Sequence, residues 1–235
     1  MLQAVIFDFD GVISDTEQAH LQAFNQVLAR LGIEITQQAY YEEYIRYPDL
    51  ECFKTIVARH NLPLDAVGLD ELIRQKGCIF RRLIKKHNSI ITGVPQFLRM
   101  LSENNIRMAI CTGCLRGDIE AILGGTDLSG FFETMVTADD ITSGKPDPQG
   151  YRLVLARLNE TEAGIRPDEC IAIEDSPWGL QAAAAAGIHT VAVTNTYTAR
   201  QLSSAGRIVT HLAELTIDEL RAMCTRDKLP AQGPG

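Results

Sequence analysis

Ala4-Val5-Ile6-Phe7-Asp8-Phe9-Asp10-Gly11-Val12 joins an apolar run to a pair of carboxylates, with Asp15 close behind. A short run rich in β-branched and aromatic residues reads as a strand buried on both faces. Carboxylates placed against such a strand are costly unless a positive partner meets them. Asp8 and Asp10 stand where the apolar run stops, and Gly11 permits a turn there. In open parallel sheets ligand chemistry gathers beyond the carboxyl ends of the strands. The two aspartates are therefore expected to form the reactive centre rather than a pair of solvated turn residues.

Outward from this stretch, apolar spacings of three and four at Leu21, Phe24, Val27, Leu28 and Leu31 predict a helix. Ser14-Asp15-Thr16-Glu17 fits a capping box at its start, and Gly32 stops it. To about residue 90 the pattern stays helical, over Tyr40 to Ile45, Leu50 to Arg59 and Leu69 to Lys86. Pro48 and Pro63 fall between these segments as breakers. Alternation then resumes. Strands are expected at Arg107 to Cys111, Thr134 to Thr137, Cys170 to Ile173, Thr190 to Val193 and Ile208-Val209. Helices are expected near Phe97 to Leu101, Ile119 to Leu123, Tyr151 to Leu158 and Trp178 to Ala186, the last with an alanine run suited to close approach to a sheet. This order predicts an α/β fold, a Rossmann-like parallel sheet flanked by helices, with an inserted all-helical domain. The sheet domain spans 1–14 and 91–224, the helical domain 15–90, and 225–235 is a Pro- and Gly-rich flexible tail.

The 235 residues suffice for one large domain, or for one of medium size with an insertion. A hydrophobic fraction of 46% with 22% charged residues is ordinary for a soluble protein. The net charge of −8 argues against nucleic-acid or anionic-membrane partners, though a few local cations suffice for a small anion. There is no membrane-length apolar run and no signal-peptide pattern, so a cytoplasmic protein, monomeric or a weak homo-oligomer, is expected. The six scattered cysteines then read as reduced thiols. Cys111-Thr112-Gly113-Cys114 matches C-x-x-C, but Cys111 closes an apolar strand, where a small buried hydrophobe fits better than a redox centre.

Asp8, Thr112 and Asp175 end separate predicted strands, so they converge on one edge of the sheet. Carboxylates from two strand ends make an all-oxygen site suited to Mg²⁺. An ionised aspartate can act as a nucleophile, but attack on a phosphate dianion meets like-charge repulsion. A divalent cation and a lysine would offset it, and Lys145 in Ser143-Gly144-Lys145-Pro146-Asp147-Pro148 is placed in a loop that can supply the lysine. Thr112 and the backbone N–H groups of Gly113 and Cys114 can donate to phosphate oxygens. Taken singly, Lys145 reads as a turn lysine, Thr112 as a helix cap and Glu174-Asp175 as a surface cap pair. The ordered set carries the reading.

That ordered set, Asp8-Phe9-Asp10-Gly11-Val12, Thr112, Lys145-Pro146 and Glu174-Asp175, resembles the haloacid dehalogenase-like (HAD) superfamily over nearly the whole chain. The helical insertion after the first motif resembles the α-helical C1-type cap of its phosphoglycolate phosphatase and β-phosphoglucomutase branch. The resemblance implies that Asp8 becomes a phospho-aspartate and that Asp10 protonates the leaving group and then activates water. Thr112, Gly113 and Lys145 would hold the phosphoryl group. Mg²⁺ would be bound by Asp8, the backbone carbonyl of Asp10 and Asp175, with Glu174 a nearby metal or outer acid. In the cap, His20 falls where the mutases carry a hinge histidine and Lys76 near their substrate-reading lysine. Both also have plain readings, His20 as a helix-face residue and Lys76 as a solvated charge, the one favoured here. Tyr44-Ile45-Arg46-Tyr47-Pro48-Asp49 departs from the mutases' glycine-containing loop and following arginine, leaving Arg46 as a candidate contact to the substrate's distal group. The expected activity is a Mg²⁺-dependent phosphatase for a small phosphorylated metabolite of the phosphoglycolate or sugar phosphate class. A sugar-phosphate mutase is the alternative, and a non-catalytic binding module on the same scaffold is the reading from another class.

Overall fold

The computed structural model describes residues 1–45, 47–84, 89–161 and 164–225. By internal contacts the chain divides into two compact units, one of Met1–Ser14, Ile90–Gly113 and Asp127–Gly235, the other of Asp15–Ser89 and Cys114–Thr126.

The first unit is built on a six-stranded parallel sheet of β1 (Ala4–Phe7), β2 (Arg107–Cys111), β3 (Thr134–Val136), β4 (Cys170–Glu174), β5 (His189–Val193) and β6 (Arg207–Val209), in the order β3-β2-β1-β4-β5-β6. Every residue of β1 and β4 is buried, as continuous apolar runs require in a sheet covered on both sides. One face packs on α7 (Gln149–Thr161) and α8 (Pro177–Ala185): Ala4, Ile6, Ala109 and Cys111 share a core with Tyr151, Val154 and Leu158 and with Ala182 and Ala183. The alanines let α8 lie close to the strands, as expected from their run. On the other face Phe7 meets the edges of Phe97, from α5 (Val94–Glu103), and of Phe132, with ring centroids 6.1 and 6.0 Å away. A short α9 (Ile217–Met223) ends the described chain, and the expected tail beyond 225 lies outside the described residues.

The strand order reverses at β1, whose neighbours are β2 on one side and β4 on the other. Such a switch point opens a crevice beyond the strand ends. Phe7 is level with Ile110 and with Ile173, so the next residue out on each strand is Asp8, Cys111 and Glu174.

The second unit is helical: α1 (Glu17–Leu28), α2 (Gln37–Ala39) running into one π-helical turn at Tyr40–Tyr44, α3 (Asp49–Arg59), α4 (Ala66–Ile84) and α6 (Arg116–Leu123). Leu21, Phe24, Val27 and Leu28 of α1 pack with Tyr40, Tyr44, Phe53 and Ile56, as the helical stripe predicts, but Leu31 falls past the end of α1 in a 3-10 turn and is exposed. Two further sequence expectations change here. Ser14 is not the cap of α1, because its backbone is bridged to Asp10 and Ile90; Thr16 takes the N-cap position, and Glu17 accepts a hydrogen bond from the Tyr40 hydroxyl at 2.7 Å. In addition α6, read from sequence with the sheet domain, packs Ala121 and Ile122 against Ala23, Phe80 and Ile84, and its Asp118 accepts from Arg81 Nη1 at 2.9 Å. Helical spacing shows that a face is apolar but not which neighbour will cover it.

Candidate active site

The crevice beyond β1 and β4 holds an ammonium group surrounded by acceptors. Lys145 Nζ lies 2.9 Å from Asp8 Oδ1, 2.6 Å from Glu174 Oε1 and 3.0 Å from the carbonyl of Cys111. A lysine has three N–H donors, and these three acceptors sit on the three neighbouring strand ends β2, β1 and β4. The ammonium also stands 5.5 Å from the centre of the Tyr151 ring. Burial alone would lower the pKa of this lysine, but the charges of Asp8 and Glu174 outweigh it and hold the group protonated, its pKa well above the usual value.

Asp8 is pulled in both directions. Burial pushes its carboxyl up, Lys145 draws it down, Glu174 pushes it up again, and Asp10 adds a smaller upward push, leaving it at about 7. Glu174 is fully buried and is bound from both oxygens: Tyr151 donates to Oε1 at 2.6 Å, beside Lys145, and Ser176 reaches Oε2 at 3.3 Å. Burial and the Glu174 charge raise the Tyr151 phenol well above its usual pKa, so it remains a donor. Asp175, the next residue, is buried too, and Asp8, Glu174 and Asp175 each offer a carboxylate oxygen within 4.8 Å of the others. Three hard oxygen donors gathered this closely could hold a hard metal ion.

The turn after β1 explains the glycine of the motif. Gly11 has φ +73°, a left-handed conformation that costs little only without a Cβ. A Cβ there would fall 1.9 Å from Asp175 Oδ2 and 2.7 Å from Thr196 Oγ1. Gly11 N–H donates to the Ser14 carbonyl at 2.8 Å, closing the turn that carries Asp10. The Asp10 carboxylate is half-buried and stands outside the group of three, near enough for its charge to be felt at Asp8. Thr112 is buried one residue beyond β2, its backbone N–H donating to Val136 O at 3.0 Å, and Gly113 follows it into an exposed loop.

The structure thus brings Asp8, Lys145, Glu174 and Asp175 together, with Asp10 and Thr112 on the adjoining strand-end turns. Sequence reasoning missed Tyr151, Ser176 and Gly179. In the sequence Tyr151 marks only the start of a predicted helix. Gly179 had a usable signal, since a glycine inside a helix costs about 1 kcal/mol against alanine and implies a reason. The reason is Glu174: a Cβ on Gly179 would lie 2.0 Å from its Oε2. Cys111 is a buried core thiol pushed up to about 12, by burial first, which argues against a redox role for the C-x-x-C.

His20 and Lys76 belong to the helical unit. Lys76 is not a solvated charge: it is 1% exposed, 2.8 Å from Asp49 Oδ1 and 2.6 Å from His20 Nδ1, with the Phe24 and Phe80 rings within about 5 Å of its ammonium. The α4 stripe places it inward, and Asp49 and the ring faces offset its desolvation. His20 stacks on Phe80 at 4.0 Å. Arg46 lies outside the described residues.

Acids on two neighbouring strand ends, gathered around a buried lysine at the sheet's switch point, suit a hydrolase site. Residues 5–193 match the family model described as haloacid dehalogenase-like hydrolase, and the chain belongs to that family. Among curated relatives, the phosphorylated carbohydrates phosphatase of Thermotoga maritima is 29% identical over 191 residues, covering 81% of this chain and 84% of the relative. Protein CbbY of Rhodobacter capsulatus is 31% identical over 206 residues, covering 84% and 87%. Fructose-1-phosphate phosphatase YqaB of Escherichia coli is 30% identical over 190 residues, covering 80% and 95%. Among solved structures, a CbbY variant from Rhodobacter sphaeroides in complex with xylulose-(1,5)bisphosphate superposes with TM-score 0.83 at 26% identity, over 94% of this chain and 99% of that one.

Proposed function

We propose that this chain is a Mg²⁺-dependent phosphatase for small phosphorylated metabolites of the phosphoglycolate or sugar phosphate class. The observation that carries the reading is the Lys145 ammonium bound to both Asp8 and Glu174 at the sheet's switch point, with Asp175 beside them. The relatives named as phosphatases of phosphorylated carbohydrates support the substrate class.

In the first step an Asp8 oxygen forms a bond to phosphorus while the ester P–O bond breaks, and Asp10 gives its proton to the departing oxygen. In the second, Asp10 takes a proton from water, the water oxygen bonds to phosphorus, the Asp8–phosphorus bond breaks, and phosphate leaves. Lys145 offsets negative charge on the phosphoryl oxygens, and Thr112 with the Gly113 N–H orients them. Glu174 holds Lys145 and is itself held by Tyr151 and Ser176, so we assign it to positioning the lysine. Asp8 and Asp175 would hold Mg²⁺, whose charge offsets the repulsion between carboxylate and phosphate. The helical unit is read as the cap that selects the substrate, with His20 and Lys76 as its polar candidates.

The test is a screen of phosphoglycolate, hexose phosphates and pentose phosphates with Mg²⁺ and after chelation. Steady phosphate release that disappears on chelation and returns with Mg²⁺ is expected. Isomerisation faster than hydrolysis would make the enzyme a mutase, and no turnover of any ester by folded protein would overturn the reading.

A further inference from the structure

The turn carrying Asp10 is gripped from the turn after β5, remote in sequence. Asn195 Nδ2 donates to the carbonyl of Gly11 at 2.7 Å, across 184 residues of chain. With the Gly11 N–H bound to Ser14 O, the peptide groups on both sides of Gly11 are tied. Gly11 is the pliant point of this turn because its left-handed φ is open to a residue without a Cβ. The torsions that would swing Asp10 relative to Asp8 lie at Phe9 and Asp10, and turning them would carry the Gly11 peptides away from Asn195 and Ser14.

The holder is itself anchored. Thr194 N–H continues the β5–β6 ladder by donating to Val209 O at 3.0 Å. Tyr197 meets Trp178 of α8 edge-on, with ring centroids 5.2 Å apart at 81°. Thr196 Oγ1 abuts Gly11, filling part of the space a Cβ would take. Asn195 thus projects from a segment fixed at both ends, on the same side of the switch point as Asp175.

Resting on the phosphatase reading above, we infer that Asn195 is a positioning residue for the acid–base Asp10, holding the Gly11 turn so that the Asp10 carboxyl meets the leaving-group oxygen. The inference separates two kinds of ester. Departure of an alkoxide needs the proton from Asp10, whereas p-nitrophenolate leaves without one. The parameter to compare is kcat/KM, which covers the steps through release of the alcohol and not the later hydrolysis of phospho-Asp8.

The experiment measures kcat/KM of the wild type, Asn195→Ala, Asp10→Asn and the double variant. The substrates are p-nitrophenyl phosphate and the alkyl esters fructose 1-phosphate, glucose 6-phosphate and phosphoglycolate, all with Mg²⁺. Because Asn195 is exposed, water can replace its amide, so the loss is set by one hydrogen bond. For the alkyl esters Asn195→Ala is expected to lower kcat/KM about five- to tenfold. For p-nitrophenyl phosphate the expected change is less than about twofold, and in the Asp10→Asn background the alkyl effect falls to about twofold or less, since the two residues act as a unit. Equal losses on both ester types, or full additivity with Asp10→Asn, would assign Asn195 to general structure and overturn the inference. Wild-type protein that hydrolyses none of the esters would overturn the phosphatase reading and this one with it.

Discussion

Asp8 carries opposing demands. In its proposed role of nucleophile it must be ionised, yet burial and the neighbouring Glu174 push its carboxyl to about 7 against the pull of Lys145. A folded-state pKa above the unfolded value of 3.8 means that the folded chain binds the proton more tightly. Protonation of Asp8 therefore stabilises the metal-free fold below about pH 4, and this contribution is lost as pH rises through about 7. Asp8→Asn, which cannot ionise, is expected to abolish turnover. In chelator it should raise the midpoint of thermal unfolding above that of wild type at pH 8, with the difference vanishing near pH 4. Thermal scans across that range, with activity assayed after excluding deamidation, check both parts. Lys145→Met acts in the opposite sense. It leaves Glu174 buried without its counter-charge, and breaking a buried pair of this kind costs about 3–5 kcal/mol. Urea denaturation should show that loss, while Arg74→Met, which breaks a pair whose side chains are 66% and 45% exposed, should cost far less.

At the scale of elements, β4 and α8 act as one fitting. The strand delivers Glu174 and Asp175, and the helix starts at once with Ser176 as its cap, accepting from Gly179 N–H at 3.2 Å, and Pro177 in its first turn. The same hydroxyl touches Glu174, so the cap and the acid that holds Lys145 share one residue. Ser176→Ala is expected to cost about 1 kcal/mol, the usual value of a lost N-cap, seen as a lowered urea midpoint at unchanged slope. The strands and the longer helices could be read from the sequence because continuous apolar runs and three-four spacing mark them. The cap of α1 could not. Ser14-x-x-Glu17 satisfies the local pattern, but the backbone of Ser14 is spent on bridges to Asp10 and Ile90, a demand that no local pattern records. Lys76 shows the same limit, since a helical lysine reads as solvated until Asp49 and the aromatic faces are brought to it.

At the scale of the whole chain a parallel sheet carries a cluster of acids at its strand ends, and a helical unit is drawn from the segment after the first strand and from Cys114–Thr126. Among the described residues no helix is long and apolar enough to cross a membrane. Because the acids cluster in the folded chain alone, a cation that binds them stabilises the fold by mass action, about 2.7 kcal/mol at a hundred times its dissociation constant. Added Mg²⁺ is expected to raise the thermal midpoint of the wild type, and Asp175→Asn should lose most of that rise while keeping the same secondary structure by circular dichroism. An equal rise in both proteins would place the ion elsewhere.

The residues themselves determined the strand alternation, the insertion and the ordered acids, threonine and lysine, because apolar period and turn chemistry are local properties of a chain. Only the tertiary structure decided which partner each acid meets. Register along β1 and β4 sets Asp8 level with Glu174, and the reversal of strand order opens the crevice where Lys145 meets both. Glu174, one of an adjacent acidic pair in sequence, is in space the anchor of the lysine, bound by Tyr151 and Ser176 and given room by Gly179. Asn195 reaches the turn of Asp10 for the same reason: hydrogen bonds between residues 184 apart exist only once the sheet has brought its strand ends together.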